Sequence, residues 1–422
     1  MTTETSQFSL RPRLSRMVGR DPAERGRVAT PLELLFDLTF VVAFGVTADQ
    51  TAEVLAEGHW VPALLGFGFA MFCVVWAWVN FSWFASAFDT DDWFYRLTTM
   101  VQMTGVVILA LGIPVMFESL DHGEMFDNSI MVAGYVVMRV ALVAQWLRAA
   151  KQDPVHRKSA LTYATVVGLA QLGWVVIFLI RAAPAGIVFG LAVVVVAADV
   201  LSPSIAERVN GGTPWHAHHI AERHSLLTII ALGEGIFGTV ASVSAIVEHS
   251  GWSSEAIALL FAGIGLTFAL WWIYFLLPAG AVLAIRRDRG ATWGYLHVFL
   301  FPAITGMGAG LHVAAYVIEG ESELSITAAI LCVAIPVFAF LFIAYALYAY
   351  LVHEVNRTDI GKLIPATVLL ILSVVLAANG ASIAVCLLVL LSAPVVFIVY
   401  FVLIGWRHEE VALRRVMADA PR

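Results

Sequence analysis

The chain has 422 residues, of which 60% are hydrophobic and 13% are charged. Soluble globular proteins carry about 25% charged residues, so this composition excludes that class and indicates an integral membrane protein. A transmembrane β-barrel is also excluded, because the apolar residues form unbroken runs rather than alternating segments of about 10 residues. The formal net charge of -7 says little about function, since the position of the basic residues matters more than their sum.

Twelve apolar runs are long enough to cross a bilayer as helices, which takes about 20 residues each. The sequence therefore predicts an all-α fold, a polytopic membrane helix bundle with about 12 transmembrane helices. The predicted spans are residues 32–54, 60–85, 96–117, 128–148, 159–181, 184–201, 220–246, 254–277, 293–318, 326–352, 362–379 and 382–404.

The distribution of basic residues predicts the orientation of these spans. The arginine-rich segment before the first span has no apolar core, so it is not predicted to be a cleaved signal peptide. If that segment is cytoplasmic, all of the 24 basic residues except Arg139 and Arg181 fall at or near the inner side. The outer loops collect acids, namely Glu118, Asp121, Glu124, Asp127, Glu319, Glu321 and Glu323. This asymmetry predicts that both termini are cytoplasmic.

Matches between the two halves of the chain predict an internal repeat. Glu33 and Thr39 on the first span match Glu222 and Thr228 on the seventh. Trp78 and Phe81 on the second span match Trp272 and Phe275 on the eighth. Thr104 and Gly105 on the third span match Thr305 and Gly306 on the ninth. We predict two parallel six-helix repeats. The predicted divisions are a basic tail (1–29), the first repeat (30–205), the second repeat with its preceding histidine-rich loop (206–404) and a second tail (405–422).

The first span carries two acidic residues. An ionisable side chain within a membrane span is energetically costly, so each one is a candidate functional residue. Glu33 and Asp37 are four residues apart, so both carboxylates share one helix face. Thr30, directly before Pro31, is a predicted helix cap. The acids either line a functional cavity or complement the positive helix N-terminus and pair with an arginine such as Arg96.

The loop at residues 88–96 places Asp89, Asp91 and Asp92 ahead of Arg96. This pattern predicts an acidic cap for the third span and a charge partner for the first span. Metal binding by the loop is the alternative, although a Ca²⁺ site would need more ligands at defined spacing.

Arg139 is the least expected residue, because it lies near the middle of the fourth span. A guanidinium at that depth needs an internal acid or a hydrated cavity. Glu234 on the seventh span lies at a similar depth, so we predict that the two form a pair or share one polar cavity. A purely structural ion pair is the alternative. Asp199, near the inner end of the sixth span, adds a further acid.

The histidine-rich segment at residues 215–235 leads into the seventh span. His216 and His219 are three apart, and His218 and Glu222 are four apart, so each pair could meet on a helix face. Such spacing permits a metal site but also occurs without metal, so no metal and no cofactor is predicted. The chain has no phosphate-binding loop and no HExxH motif, which argues against an ATP-driven pump or a zinc protease of that kind.

Three segments resemble the bacterial low temperature requirement protein A family: residues 29–44, 88–97 and 218–236. The motifs of that family fall on Glu33, Phe36, Asp37, Asp91, Asp92, Arg96, His219, Glu222, Arg223, Gly233 and Glu234. Gly235 departs from the family, which more often has a small hydroxyl residue there. The resemblance implies a multi-pass protein of the bacterial inner membrane, linked by name to growth in the cold. It implies no substrate.

A second likeness concerns Phe36, Asp37 and Phe40, which are similar to a Phe-Ser-Asp signature in potassium channels built from six-helix repeats. The intervening serine is missing, and Leu226 stands where Asp37 would align in the second half.

The favoured hypothesis is a secondary transporter or permease of a small or ionic solute, because several ionisable residues lie within the spans. The predicted polar network comprises Glu33, Asp37, Asp91, Asp92, Arg96, Arg139, Asp199, His219, Glu222, Arg223 and Glu234. The alternatives are a cation channel, a membrane enzyme acting on a lipid-linked substrate with His219 facing the inner leaflet, and a protein without transport. The expected partners are the lipid bilayer and an unknown solute or ion, with no nucleic acid. Assembly into a homo-oligomer is left open.

Overall fold

The computed structural model describes residues 14–123, 126–180, 183–209, 211–352 and 357–418. Most of these residues are helical and none forms a β-strand, so the all-α prediction is confirmed. The helices are α1 (Pro31–Ala56), α2 (Trp60–Phe88), α3 (Trp93–Asp121), α4 (Ser129–Gln152), α5 (Arg157–Leu179), α6 (Ala185–Ala206), α7 (Ala217–Ser250), α8 (Ser254–Tyr274), α9 (Ala279–Ile285), α10 (Gly290–Glu319), α11 (Ile326–Val352), α12 (Arg357–Ala378), α13 (Ile383–Tyr400) and α14 (Trp406–Ala418). Glu124 and Arg181, used above to predict orientation, lie outside the described residues.

Each predicted span coincides with one helix, so the polytopic bundle is confirmed. Among the described residues, 11 helices are long and apolar enough to cross a membrane, and Leu363–Ala378 within α12 is a shorter apolar helix. The short helix α9 and the amphipathic helix α14 were not predicted as separate elements. A π-helical turn at Phe401–Gly405 joins α13 to α14.

Several helix contacts follow the same order in both halves of the chain, but α8 also packs against α13, whereas α2 makes no comparable contact with α6 among the described residues. In the first half α1 contacts α2 and α3, and α3, α4, α5 and α6 contact one another in sequence. In the second half α7 contacts α8 and α10. Helices α10, α11, α12 and α13 also contact one another in sequence. The duplication itself stays a prediction. The halves meet where α1 contacts both α7 and α10.

The bundle has two chemically different ends. One end, called the basic end here, holds the start of α1, the loop between α2 and α3, and residues 14–30 with their arginines. At the other, acidic end, the carbonyl of Ala56 accepts hydrogen bonds from the amide of Glu323 at 2.8 Å and the hydroxyl of Ser322 at 2.9 Å. His59 and Asp121 also meet there.

Residues 14–30 form an extended segment, called the strap here, that crosses the basic end. The amide of Ser15 donates to Asp92 at 3.0 Å, and the amide of Gly19 donates to Asp153 at 2.7 Å. Met17 between them is fully buried. Backbone amides and a buried side chain therefore attach the strap to the ends of α3 and α4 without needing a regular secondary structure.

Arg27 of the strap closes the end of α2. Its guanidinium donates to the carbonyls of Ser86 at 2.5 Å and Ala85 at 3.0 Å. The last carbonyls of a helix have no partner within the helix, and a cation there also complements the negative end of the helix dipole. The strap thus provides a partner for the carbonyl of Ser86 and a second one for the carbonyl of Ala85, which also accepts the amide hydrogen of Asp89 at 3.2 Å.

Asp89, the residue after α2, is a buried carboxylate at this end. It accepts the amide hydrogen of Asp91 at 2.9 Å and lies 3.6 Å from the guanidinium of Arg20. Burial, with the negative charge of Glu33 adding to it, raises the pKa of Asp89 from the ordinary 3.8 to about 6.

We expect the substitution Asp89→Asn to change how stability depends on pH. The folded protein keeps a proton on Asp89 up to about pH 6, whereas the unfolded chain releases it near pH 3.8. The stability linked to this proton is present below pH 3.8 and is lost as the pH rises through 6. Thermal unfolding in detergent should therefore show the variant gaining about 2 kcal/mol over the wild type between about pH 4 and 7. A difference that is constant with pH would contradict this, and Asp91→Asn is the matched control.

Candidate functional site

Four of the predicted residues meet inside the bundle near its basic end. Glu33 and Asp37 come from α1, and His219 and Arg223 come from α7; each is at most 1% exposed. The guanidinium of Arg223 lies 2.6 Å from Asp37 and 3.6 Å from Glu33. The Nε2 atom of His219 lies 3.1 Å from Glu33. One turn of α1 therefore places two carboxylates opposite a histidine and an arginine on one turn of α7, and this group of four residues is called the ion cluster here.

Glu33 also belongs to the cap of α1. Its amide donates to the hydroxyl of Thr30 at 3.3 Å, and its carboxylate accepts from the amide of Thr30 at 2.8 Å. These reciprocal bonds form a capping box, with Pro31 as the first helical residue. The predicted cap is confirmed. The suggested pairing of these acids with Arg96 is wrong, because Arg96 is exposed and binds Asp91 at 2.7 Å.

Helix α2 supplies two further partners of the ion cluster, which the sequence had not singled out for this role. The indole of Trp78 donates to Asp37 at 2.6 Å, and Arg223 donates to the hydroxyl of Ser82 at 3.3 Å. The guanidinium also lies over the rings of Trp78 at 5.6 Å and Phe81 at 5.9 Å. Trp78 and Ser82 are four residues apart on one face of α2, and this spacing was the available signal.

Several polar atoms of the ion cluster have no hydrogen-bond partner within the described part of the chain. These atoms are Oδ2 of Asp37, Nε and one terminal nitrogen of Arg223, and Nδ1 of His219. Buried polar groups in proteins are almost always hydrogen-bonded. The ion cluster therefore has unused donors and acceptors for water, a proton or a small polar solute.

The strap covers the ion cluster from the basic end. The amide of Ala29 donates to Glu222 at 3.1 Å, and Nε2 of His216 lies 2.8 Å from the carbonyl of Glu24. His216 and His219 do meet, as their spacing suggested. They meet as a helix cap, because the amide of His219 donates to Nδ1 of His216 at 3.2 Å.

Among the described residues, the group with metal-ligand spacing lies elsewhere. Glu57, His59 and Asp121 at the acidic end place their ligand atoms within 4.8 Å of one another. Both Glu57 and His59 are exposed, and Nδ1 of His59 lies 2.6 Å from Asp121. An exposed ion pair explains this arrangement without a metal.

The loop between α2 and α3 separates into two ion pairs. Asp91 binds Arg96 in the exposed pair described above. Asp92 accepts the amide hydrogen of Tyr95 at 2.9 Å and forms a short ion pair with Arg148 of α4. The predicted acidic cap of α3 is therefore confirmed. The loop does not provide a charge partner for Glu33 and Asp37, because Arg223 already occupies that place.

The predicted contact between Arg139 and Glu234 is wrong. Arg139 binds Asp199 of α6 at 3.0 Å and the hydroxyl of Tyr135 at 2.9 Å. Both partners in the ion pair are buried, with side chains only 3% and 5% exposed. Glu234 instead points toward α1 and α10. Depth along a helix is set by the sequence, but the direction in which a side chain finds a partner depends on how the helices are arranged.

Glu234 is 2% exposed and makes no hydrogen bond or ion pair with any described residue. A methyl group added to Gly45 of α1 would lie 3.5 Å from its carboxylate, and one added to Gly308 of α10 would meet its backbone. One helical turn further toward the acidic end, these helices carry Asp49 and His312, whose side chains lie 3.6 Å apart. Asp49 is exposed and His312 is half-buried, so polar groups lie on the side of Glu234 that faces the acidic end.

Apolar side chains separate Glu234 from the ion cluster. Phe40 and Phe44 lie on α1 between Asp37 and Gly45, and both are fully buried. Leu227 and Ala231, also fully buried, occupy the corresponding stretch of α7. In this conformation two polar regions of the bundle are divided by these buried apolar side chains, called the apolar layer here.

Comparison with known proteins agrees with the resemblance noted from the motifs. Residues 28–394 match the family described as bacterial low temperature requirement A protein (LtrA). An uncharacterized protein of Rhizobium meliloti (strain 1021) is 26% identical over 253 residues, a match covering 58% of this chain and 57% of that protein. The chain thus aligns with little more than half the length of that relative. No solved structure matches the chain.

Proposed function

Because the chain belongs to the bacterial low temperature requirement A protein (LtrA) family and forms a polytopic helix bundle, we propose that it is a secondary transporter or permease. It would move a small or ionic solute across the bacterial inner membrane, in a role connected with growth at low temperature. The proposal rests on Glu234, a carboxylate buried within a membrane span with no compensating cation in the described part of the chain. Such a residue is costly to keep in hydrocarbon unless it has a functional use.

The orientation follows from the distribution of charge. Positively charged loops are retained in the cytoplasm during insertion. The basic end, with the strap, therefore faces the cytoplasm, and the acidic end faces outward. In this orientation Asp49 and His312 lie on the outer side of Glu234. The ion cluster lies near the inner surface, beneath the strap.

The chemistry of the two regions suits a proton or a monovalent cation. Among the residues that the structure describes, Glu234 has no basic partner and the acidic Asp49 is the charged group that acts on it, so a bound cation or proton would neutralise it. Asp37 in the ion cluster keeps one carboxylate oxygen without a partner. Both regions can thus accept positive charge, one from each side of the apolar layer.

The apolar layer favours a carrier over a channel that is open in this conformation. A continuously open pore needs a hydrated path, whereas Phe40, Phe44 and Leu227 leave no exposed surface between the polar regions. Passage would require α1 and α7 to move relative to each other, as in alternating access. The glycine contacts of Glu234 with Gly45 and Gly308 are compatible with such sliding, because they lack interlocking side chains.

The test is ion flux into vesicles that contain the purified protein and a trapped dye sensitive to protons, Na⁺ or K⁺, one dye in each assay. The wild type should pass protons, Na⁺ or K⁺ faster than protein-free vesicles under an imposed potential. Glu234→Gln should reduce this rate at least about tenfold, because the amide cannot exchange a proton or neutralise a cation. Asp37→Asn should reduce it as well.

Glu248→Gln is the matched control, since Glu248 is an exposed acid near the outer end of the same helix α7. It should leave the rate unchanged. Wild-type flux no faster than that of empty vesicles, or unchanged flux in both Glu234→Gln and Asp37→Asn, would contradict the proposal.

A further inference from the structure

A partly open cavity near the basic end lies outside the ion cluster, in the second half of the bundle. It is a cavity of about 430 Å³ lined by residues of α7, α8, α9, α10, α11, α13 and α14. That volume is within the usual range for small-molecule sites. Six aromatic side chains line it: Tyr274, Phe275, Trp293, Tyr345, Tyr348 and Phe397. We call it the aromatic cavity.

The helix that borders the cavity is broken there. Helix α8 ends at Tyr274, and the chain resumes as α9 at Ala279, with Phe275, Leu276 and Leu277 between. Pro278 has no amide hydrogen, so the carbonyl of Tyr274, four residues earlier, loses its helical donor. In many membrane carriers, substrates and coupling ions bind where a helix is interrupted in this way, because the freed carbonyls can act as ligands.

The carboxylates give the lining its formal charge. Glu222 and Glu409 are acidic and His218 is a histidine, and no lysine or arginine is among the lining residues that the structure describes. Glu222 accepts one hydrogen bond from the strap, at Ala29, through Oε2. The other carboxylate oxygen has no hydrogen bond to a described residue, and the residue is only half-buried. A negative charge therefore stands beside a set of aromatic faces.

Aromatic faces and carboxylates favour the same kind of ligand. The negative face of an aromatic ring attracts an organic cation, and the attraction grows when the site excludes water. A carboxylate adds charge complementarity and repels anions. An inorganic cation would gain little from the rings, whereas a ligand with an ammonium group and an apolar body would use both features.

We infer that the aromatic cavity is a binding site for a small organic ammonium ion that enters from the basic end. The ammonium group lies near Glu222 and the broken segment, and the apolar body packs against the rings of Trp293 and Tyr348. This inference concerns binding alone. It stands whether or not the protein moves protons or metal cations past Glu234.

The test uses three probes of similar size on the full-length protein in detergent: benzyltrimethylammonium, benzoate and benzyl alcohol. The first probe is positively charged, the second is negatively charged and the third is neutral. Comparing their affinities therefore distinguishes electrostatic selection from simple partitioning into an apolar space. Isothermal titration should show saturable binding of benzyltrimethylammonium at one site per chain. Benzoate and benzyl alcohol should bind at least about tenfold more weakly.

Two variants test the location of the site. Glu222→Gln should weaken binding of benzyltrimethylammonium about tenfold, while its carbonyl oxygen can still accept the amide of Ala29. Ala344→Phe should abolish binding by filling the cavity, since Ala344 lines it. Ala346→Phe, on the same helix but outside the lining, is the matched control and should bind as the wild type does.

Three results would overturn the inference. They are a failure of the wild type to bind benzyltrimethylammonium, equal affinity for benzoate or benzyl alcohol, and unchanged binding in both Glu222→Gln and Ala344→Phe. Equal affinity for benzyl alcohol would indicate a site for lipid or another neutral molecule instead. Because the titration involves no flux, these results are independent of the vesicle assay proposed for Glu234.

Discussion

Replacing Arg223 with methionine should lower the free energy of unfolding by about 3 to 5 kcal/mol, because the change leaves charges buried without their partner. Glu33 and Asp37 are both fully buried, and Arg223 is the cation that lies against both. Methionine fills a similar volume but provides no positive charge. Removing one partner of a buried ion pair costs far more than the net stabilisation that the intact pair provides.

The measurement is unfolding of the protein in mild-detergent micelles by increasing amounts of a denaturing detergent, followed by circular dichroism. The triple variant Arg223→Met with Glu33→Gln and Asp37→Asn should recover at least half of the lost stability, because no uncompensated charge remains. Failure of the triple variant to recover stability would show that shape, rather than charge, is what Arg223 supplies.

Arg96→Met is the matched control for this prediction. Arg96 also pairs with an aspartate near the basic end, but the guanidinium and Asp91 are both exposed, at 56% and 47%. Exposed ion pairs contribute less than about 1 kcal/mol. A loss of stability in Arg96→Met as large as that in Arg223→Met would contradict the role assigned to burial.

The second expected result concerns the pair formed by Arg139 and Asp199. Arg139→Met alone should also cost about 3 to 5 kcal/mol, because Asp199 would remain buried without its cation. Adding Asp199→Leu should restore most of the loss, since two apolar residues can replace a buried ion pair in hydrocarbon surroundings. The pair would then be structural, and ion flux in the double variant should match that of the wild type.

A double-mutant cycle compares the observed partner with the one that the sequence suggested. Arg139→Met and Asp199→Leu should show a coupling energy of about 2 to 3 kcal/mol, as residues in contact do. Arg139→Met and Glu234→Gln should be additive within about 0.5 kcal/mol. Strong coupling in the second cycle would mean that Arg139 reaches Glu234 in a conformation other than this one.

Much of the architecture could be predicted from the sequence. The length of an uninterrupted apolar run decides whether a segment can cross a bilayer, and that is a local property of the chain. The caps of α1 and α3 could be predicted for the same reason. The side chains of Thr30 and Asp92 accept hydrogen bonds from backbone amides in the first turn of their own helices. The spacing of Glu33 and Asp37 also placed both on one face before any neighbouring helix was known.

The partners of the buried charges were decided by the packing of helices. Arg139 and Glu234 lie at similar depths, which made them plausible partners, but α4 brings Arg139 to Asp199 while α7 brings Glu234 to α1. Arg223 was part of a recognised motif, yet its contacts with Trp78 and Ser82 depend on α2 passing through the centre of the bundle. An amphipathic pattern could not have indicated this, because residues 74–88 of α2 are buried on every side. The hydrophobicity of a segment determines whether it enters the membrane. Which of several buried acids pairs with an arginine depends on the distances between side chains, and these are fixed only when the helices assemble.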